Sequence, residues 1–192
     1  MNIYIKVFYI SLFIIYSSDY YSQSITNPSM EDKPADATMP SGWFSMSRGT
    51  TPDILPGYWG VYTEAEDGDT YVGLITRSDG SQESIGQRLE SELEKGSCYN
   101  MELYLAHSDN YSGYNAPIQL RIWIGSKKGK KEQLIFTSPI MRSEDWTRFA
   151  IDFYPEKSMH YLILEAYNPG KKNVQGNILI DNILGPKNCN RV

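Results

Sequence analysis

The middle of the chain reads Tyr99-Asn100-Met101-Glu102-Leu103-Tyr104-Leu105-Ala106. Its odd-numbered positions are bulky and largely apolar, whereas the positions between them carry Asn, Glu, Tyr and Ala. Successive side chains of a β-strand point to opposite faces of the sheet. This alternation therefore predicts a strand with one buried face and one outward face.

The same period of two recurs on both sides of this strand. Residues 118–125 and 148–153 alternate in the same way. Turn-forming residues separate the apolar runs, and a single stretch, residues 90–96, favours one or two turns of helix. Further candidate strands are 58–62, 70–76, 83–89, 133–137, 160–167 and 177–183. Many short strands without a linker predict an all-β fold, a two-sheet antiparallel β-sandwich.

Composition excludes several classes of function. The 192 residues include 23 acidic and 18 basic side chains, so a net charge of −5 argues against a nucleic-acid partner. Two His and two Cys are too few for a zinc site built from those ligands. There is no G-x-S-x-G nucleophile motif and no glycine-rich phosphate loop, which favours a protein that is not an enzyme. A glycosidase-type carboxylate pair stays open on counting alone.

Residues 1–24 have the layout of a secretory signal peptide. Lys6 supplies a positive charge, residues 7–16 form an apolar run, and small polar residues follow. The run is too short to span a bilayer, which needs about 20 apolar residues. We therefore expect a binding domain at 25–186 and a short tail at 187–192. After cleavage of the signal peptide, the protein would reach the periplasm, the cell surface or the exterior, and it would not insert into a membrane.

Export bears on the two cysteines, Cys98 and Cys189. An oxidising compartment permits a disulfide between them, and the 91-residue separation would make that bridge stabilising. The alternative is two unpaired thiols.

Three motifs together resemble a known family. They are Asn27-Pro28-Ser29-Met30-Glu31, Asp67-Gly68-Asp69-Thr70-Tyr71-Val72-Gly73-Leu74 and Asn177-Ile178-Leu179-Ile180-Asp181-Asn182-Ile183. This frame resembles the galactose-binding-like jelly-roll domains of bacterial surface proteins. Those include carbohydrate-binding modules and modules of secreted proteins from gliding bacteria. The resemblance covers residues 25–184 and is more specific for the fold than for a ligand.

The resemblance also implies a structural calcium ion. Relatives bring the first and last strands side by side and hold the ion there. The corresponding ligands would be Glu31, Asp181 and backbone oxygens around Gly68 and Asp69. Ca²⁺ takes six to eight oxygen ligands, which carboxylates and loop carbonyls supply. The alternative is that Glu31 and Asp181 hydrogen-bond to neighbouring backbone.

Outward positions of the predicted strands offer a ligand surface. A sugar has an apolar C–H face and a fringe of hydroxyls, which an aromatic plane and polar side chains match. We therefore expect a glycan platform at Trp123, flanked by Arg121 and by Glu102 and Tyr104, with Gln119 beside it. The alternative is that Trp123 and Tyr104 are cross-strand packing partners.

A second candidate surface is the loop at residues 108–115. Tyr111 and Tyr114 would supply rigid contact area, as in antibody loops, although an ordinary polar connection has the same composition. The function expected first is a secreted, non-catalytic, carbohydrate-binding module, as a monomer. The alternative is a structural or protein-interaction module of the cell surface or the secretion and gliding apparatus, with a surface protein as partner. A glycan hydrolase is the third hypothesis.

Overall fold

The computed structural model describes residues 25–189. The predicted signal peptide and the end of the predicted tail, residues 190–192, lie outside the described residues. Within residues 25–189 the chain forms eleven strands and no helix. In order they are β1 (Phe44–Ser45), β2 (Asp53–Leu55), β3 (Tyr71–Thr76), β4 (Ser84–Leu93), β5 (Tyr99–Ala106), β6 (Ala116–Pro117), β7 (Gln119–Gly125), β8 (Gln133–Thr137), β9 (Thr147–Phe153), β10 (Met159–Tyr167) and β11 (Gly176–Asn188).

The strands form two sheets. Sheet A has the order β2-β3-β11-β5-β9, with β6 paired in parallel to β11. Sheet B has the order β1-β4-β10-β7-β8. All other pairings within the sheets are antiparallel, so the predicted all-β antiparallel sandwich is confirmed.

The main core fills the space between the sheets. Leu103 of β5 and Ile122 of β7 are fully buried there, as the alternation predicted. Trp43, next to β1, adds its indole ring to the core, and its Nε1–H donates to the Asn27 carbonyl at 3.0 Å. Each such side chain contributes about 1.5–3 kcal/mol by its removal from water.

Two local predictions are wrong. Residues 90–96 were expected to be helical, but β4 extends through Leu93, which pairs with Met159 of β10 and is fully buried. The gain from burying that pair outweighs a weak helical propensity. Residues 58–62 form a loop because Trp59 and Gly60 both have positive φ, which a strand cannot accommodate.

The predicted disulfide is present between Cys98 and Cys189, whose Cα atoms lie 5.4 Å apart. The Cys189 N–H also donates to the Cys98 carbonyl at 3.0 Å. These contacts join the start of β5 to the end of β11, which runs to Asn188, just past the expected domain boundary at 186. The part of the chain between 25 and 189 contains no helix long and apolar enough to cross a membrane.

Candidate functional site

The outward face of sheet A is partly covered by loops. Tyr111, in the loop after β5, lies over Gly73 of β3, where an added Cβ would stand 2.9 Å from the Tyr111 ring. The absence of a side chain at Gly73 thus makes room for the tyrosine. A second apolar cluster forms here, separate from the main core, and its buried members are Leu55, Val61, Tyr71, Ile75, Ala106, Tyr111 and Leu179.

A cavity of about 310 Å³ lies at the edge of this second cluster. We call it the Trp59 pocket. It sits where the segment before β2, the loop after β2 and the loop after β5 meet. The lining side chains that matter chemically are Asp36, Asp53, Trp59, Arg77, Tyr111 and Tyr114.

Asp53 is the most buried charged group of the pocket, with 5% of its surface exposed. Its Oδ1 accepts the Ala37 N–H at 2.7 Å, and its Oδ2 accepts the Tyr111 hydroxyl. Burial raises the pKa of Asp53 to about 6; the two hydrogen bonds oppose this rise, and the adjacent Asp36 carboxyl adds to it. Asp53 therefore changes its charge close to neutral pH.

Trp59 forms the exposed wall, with 42% of its surface accessible. Its Nε1–H donates to Asp36 Oδ1 at 2.9 Å, and its carbonyl accepts the Ser112 N–H at 2.9 Å. The following Gly60 approaches the Asn110 carbonyl so closely that a Cβ would lie 2.8 Å from it. These contacts hold the indole in place while a large part of the residue stays exposed.

Arg77 enters the pocket with its charge already paired. One guanidinium nitrogen lies 2.6 Å from Glu83 Oε1 and donates to the Thr51 hydroxyl at 3.1 Å. Glu83 is buried and also accepts the N–H groups of Thr51 and Ile75. The guanidinium is therefore a fixed donor rather than a free cation.

The predicted platform residues Trp123, Arg121 and Gln119 lie on β7 in sheet B. The Trp123 Nε1–H donates to Glu165 Oε2 at 2.7 Å, and Glu165 also pairs with Lys131. The other two side chains also have partners. The Arg121 guanidinium lies 3.2 Å from the centre of the Tyr167 ring, and Gln119 donates to the Ser138 carbonyl at 2.7 Å.

Glu102 and Tyr104 lie on β5 in sheet A, where Glu102 pairs with Arg148 at 2.6 Å. The structure does not bring them beside Trp123, because β5 and β7 belong to different sheets whose outward faces point in opposite directions. A single platform of Trp123 with Glu102 and Tyr104 is therefore wrong. Trp123 and Tyr104 are not cross-strand packing partners either.

The expectation for the loop at 108–115 also needs correction. Tyr111 is 1% exposed, so it forms the base of the Trp59 pocket instead of an exposed contact. Tyr114 is half-buried and packs edge-on against Tyr111, with ring centres 6.3 Å apart. Both tyrosines line the pocket, but the loop does not present them as an exposed contact surface of the kind that antibody loops form.

The residues predicted to bind calcium are brought together around one loop. The Glu31 carboxylate accepts the N–H groups of Asp69 at 3.1 Å and Thr70 at 3.2 Å. Gly68, with φ of 70°, lies so close that a Cβ would stand 2.2 Å from Glu31 Oε1. Any other residue at position 68 would be strained by this φ and would displace the Glu31 carboxylate.

Asp181 is fully buried on the other side of the same loop. Its Oδ2 accepts the N–H groups of Glu66 at 2.8 Å and Asp67 at 3.1 Å, and its Oδ1 accepts the Asn182 N–H at 2.7 Å. Burial raises the pKa of Asp181 to about 7, which the three hydrogen bonds oppose, and the charge of Glu31 raises it further. The loop thus presents N–H groups, not carbonyls, to both carboxylates.

This arrangement matches the alternative in which Glu31 and Asp181 bond to neighbouring backbone. Between residues 25 and 189, no group of three or more Asp, Glu, His or Cys side chains is placed to hold a metal ion. The calcium ion stays a prediction of the resemblance.

Sequence reasoning missed Asp36, Asp53 and Trp59. One local signal was present, the aromatic turn Gly57-Tyr58-Trp59-Gly60, in which flanking glycines are typical of a loop that displays its aromatic rings. The two aspartates carry no comparable signal.

No protein-family model and no curated protein sequence matches the chain. Solved structures do share its fold. The chain is similar to the Stig cyclase FisC from Fischerella sp. TAU, with a TM-score of 0.57, 12% identity, and coverage of 84% of this chain and 94% of that one. It is also similar to the K1 cleaved adhesin domain of Lys-gingipain from Porphyromonas gingivalis W83, with a TM-score of 0.52, 11% identity, and coverage of 81% and 93%.

A carbohydrate-binding module has the same architecture. The CBM22-1 xylan-binding domain of Xyn10C from Paenibacillus barcinonensis matches with a TM-score of 0.51, 14% identity, and coverage of 84% and 93%. These structures and this chain share the fold of a two-sheet β-sandwich. At these identities the likeness shows the fold and leaves the ligand open.

Proposed function

We propose that this chain is an exported, non-catalytic carbohydrate-binding module and that its sugar site is the Trp59 pocket. The observation that carries the proposal is an indole ring held open at the wall of a cavity whose other walls are polar. The disulfide between Cys98 and Cys189 supports export, because such bonds persist in oxidising compartments.

The geometry suits a sugar for two reasons. The exposed face of Trp59 is a flat apolar surface that can contact the C–H face of a pyranose ring. Asp36 and Arg77 lie around it as an acceptor and a donor for hydroxyl groups. Because Trp59 is held by hydrogen bonds on both its ring and its backbone, little conformational entropy is lost when a ligand binds.

The outward face of β7 is a weaker candidate for the sugar site than the Trp59 pocket. Trp123, Arg121 and Gln119 already have partners within sheet B or next to it, and the self-contained network leaves fewer groups for a ligand. Trp123 therefore serves as the matched control for Trp59.

The test is a glycan array followed by calorimetry with the sugar that binds best. We expect Trp59→Ala to weaken binding about tenfold, since loss of one stacked aromatic contact costs about 1.4 kcal/mol. Trp123→Ala should bind like the wild type. Circular dichroism of both variants checks that the sandwich is intact.

Three results would contradict the proposal. Binding lost in Trp123→Ala and kept in Trp59→Ala would place the sugar on sheet B. Absence of binding to any sugar would favour the protein-interaction alternative. Release of products from a polysaccharide would show catalysis.

A further inference from the structure

The Trp59 pocket has an excess of negative charge. Two carboxyl groups, Asp36 and Asp53, line it, while Arg77 is the only cation among the described residues that line it and is paired with Glu83. A ligand therefore meets at least one carboxylate with no counter-charge of its own. An anionic sugar, such as a uronic acid, would be repelled.

The two carboxyl groups are close neighbours. Asp36 and Asp53 line the same cavity, and the proximity of Asp36 raises the pKa of Asp53 beyond the effect of burial. An exposed and a buried carboxylate that share a cavity repel each other, and a cation between them would relieve that repulsion. Neutral hydroxyl groups would relieve it much less.

The aromatic walls favour the same kind of ligand. The open face of Trp59 and the edge-to-face pair of Tyr111 and Tyr114 surround the cavity. A cation within about 6 Å of an aromatic ring centre is attracted by the ring's quadrupole. A neutral sugar would contact the aromatic rings but would leave the negative charge of the carboxylates without a counter-charge.

We infer that the Trp59 pocket binds sugars that carry a free ammonium group, with the ammonium between the carboxyl groups and the Trp59 ring. This inference rests on the proposed function, since it names the class of glycan for the same site. The glycan would contain amino sugars without N-acetyl groups, because acetylation removes the charge.

The experiment measures dissociation constants by NMR titration at pH 7. The probes are glucosamine and galactosamine, their N-acetyl forms, and glucose and galactose. We expect the matching amino sugar to bind at least tenfold more tightly than its N-acetyl and neutral counterparts. The advantage should shrink in high salt, which screens the charges.

A variant pair isolates the charge. Asp36→Asn keeps an oxygen acceptor for the Trp59 N–H but removes the charge, so the ratio of amino-sugar affinity to neutral-sugar affinity should fall to about one, whatever the change in the affinity for neutral sugars. Asp152→Asn is the matched control. It makes the same change of net charge, and Asp152 lies on β9 at the opposite edge of sheet A.

The pH dependence of binding provides an independent test. The charged and titratable groups around Asp53 are Asp36, Tyr111, Tyr114 and Arg77 with its partner Glu83. At a pH below its pKa of about 6, Asp53 is mostly protonated and neutral. The amino sugar should therefore exceed the neutral sugars in affinity by a smaller factor at pH 5 than at pH 7. An advantage that grows at pH 5 would overturn the inference.

The possible failures are distinguishable. Equal binding of amino and neutral sugars at Trp59 would overturn the inference and leave the proposed function intact. Absence of any sugar binding would overturn both. Trp59-dependent binding of N-acetyl-lysine methylamide without sugar binding would show that the pocket takes a protein side chain instead.

Discussion

Gly73 shows how one residue can determine the shape of a site. It lies on the outward face of β3, where Tyr111 Cε2, the Tyr111 hydroxyl and Leu55 Cδ1 would each stand 2.9 Å from an added Cβ. The Tyr111 hydroxyl in turn donates to Asp53, the buried carboxyl of the Trp59 pocket. The position of the Asp53 carboxyl thus depends on the lack of a side chain at Gly73, the cross-strand partner of Asp53 on the neighbouring strand.

Substitution of Gly73 by alanine should therefore disturb the pocket. We expect Gly73→Ala to displace the Tyr111 ring, to lower the free energy of unfolding by about 1–3 kcal/mol through overpacking, and to weaken sugar binding. Thermal melting and calorimetry measure the two effects. Gly170→Ala, in an exposed bend where an added Cβ would lie 3.2 Å from Asn168 Oδ1, is the control; it should change melting much less and leave sugar binding unchanged. A Gly73→Ala protein with wild-type melting and affinity would contradict the account.

At the scale of elements, the loop between residues 64 and 70 joins the two ends of the domain. It donates N–H groups to Glu31, near the start, and to Asp181 on β11. The Ile183 N–H adds a bond to the Pro28 carbonyl at 3.0 Å, which fixes the opening turn against β11. Residues far apart in sequence are held here by backbone hydrogen bonds to two carboxylates, the exposed Glu31 and the buried Asp181.

Loss of the Asp181 carboxylate should loosen this loop. An asparagine at 181 would turn its NH₂ group toward at least one of the three N–H donors, so we expect Asp181→Asn to lower the free energy of unfolding by about 1–3 kcal/mol. Urea denaturation measures this change in unfolding free energy. Asp152→Asn, on β9, is the control, and equal midpoints for the two variants would contradict the role given to Asp181.

Thermal melting of the wild type tests the calcium ion. The resemblance predicts that a chelator lowers the melting temperature and that added Ca²⁺ restores it. If the backbone N–H groups alone hold the carboxylates, the melting curve of the wild type is unchanged by the chelator, and the calcium prediction is then wrong.

At the scale of the whole molecule, the disulfide limits the freedom of the unfolded chain. Cys98 and Cys189 close a segment that contains seven of the eleven strands, from β5 to β11. We expect the double variant Cys98→Ser, Cys189→Ser to lose up to about 4 kcal/mol of unfolding free energy in the chain-entropy treatment, because a long loop is closed.

Urea denaturation measures this loss, and the wild type with a reductant should shift to the same midpoint. Circular dichroism should still show a β-protein, since the two cores are formed by apolar side chains elsewhere. An unchanged midpoint on reduction would show that the bridge adds nothing to stability.

The sequence by itself determined that the chain is a β-sandwich and which side chains point inward on the strands that alternate strictly. Leu103 and Ile122 are buried as their alternation predicted, because the period of two is a local property of an extended backbone. The disulfide could also be predicted, from the number of cysteines and the expected export.

Only the tertiary structure decided which outward residues meet. Alternation marks Trp123 and Tyr104 as outward but does not say that their strands lie in opposite sheets. Asp53 and Tyr111 are 58 residues apart, and their contact depends on strand order, on the space above Gly73 and on the path of two loops. The physical reason is that inward or outward direction follows from neighbouring residues, whereas the pairing of strands and the packing of loops minimise the free energy of the whole chain.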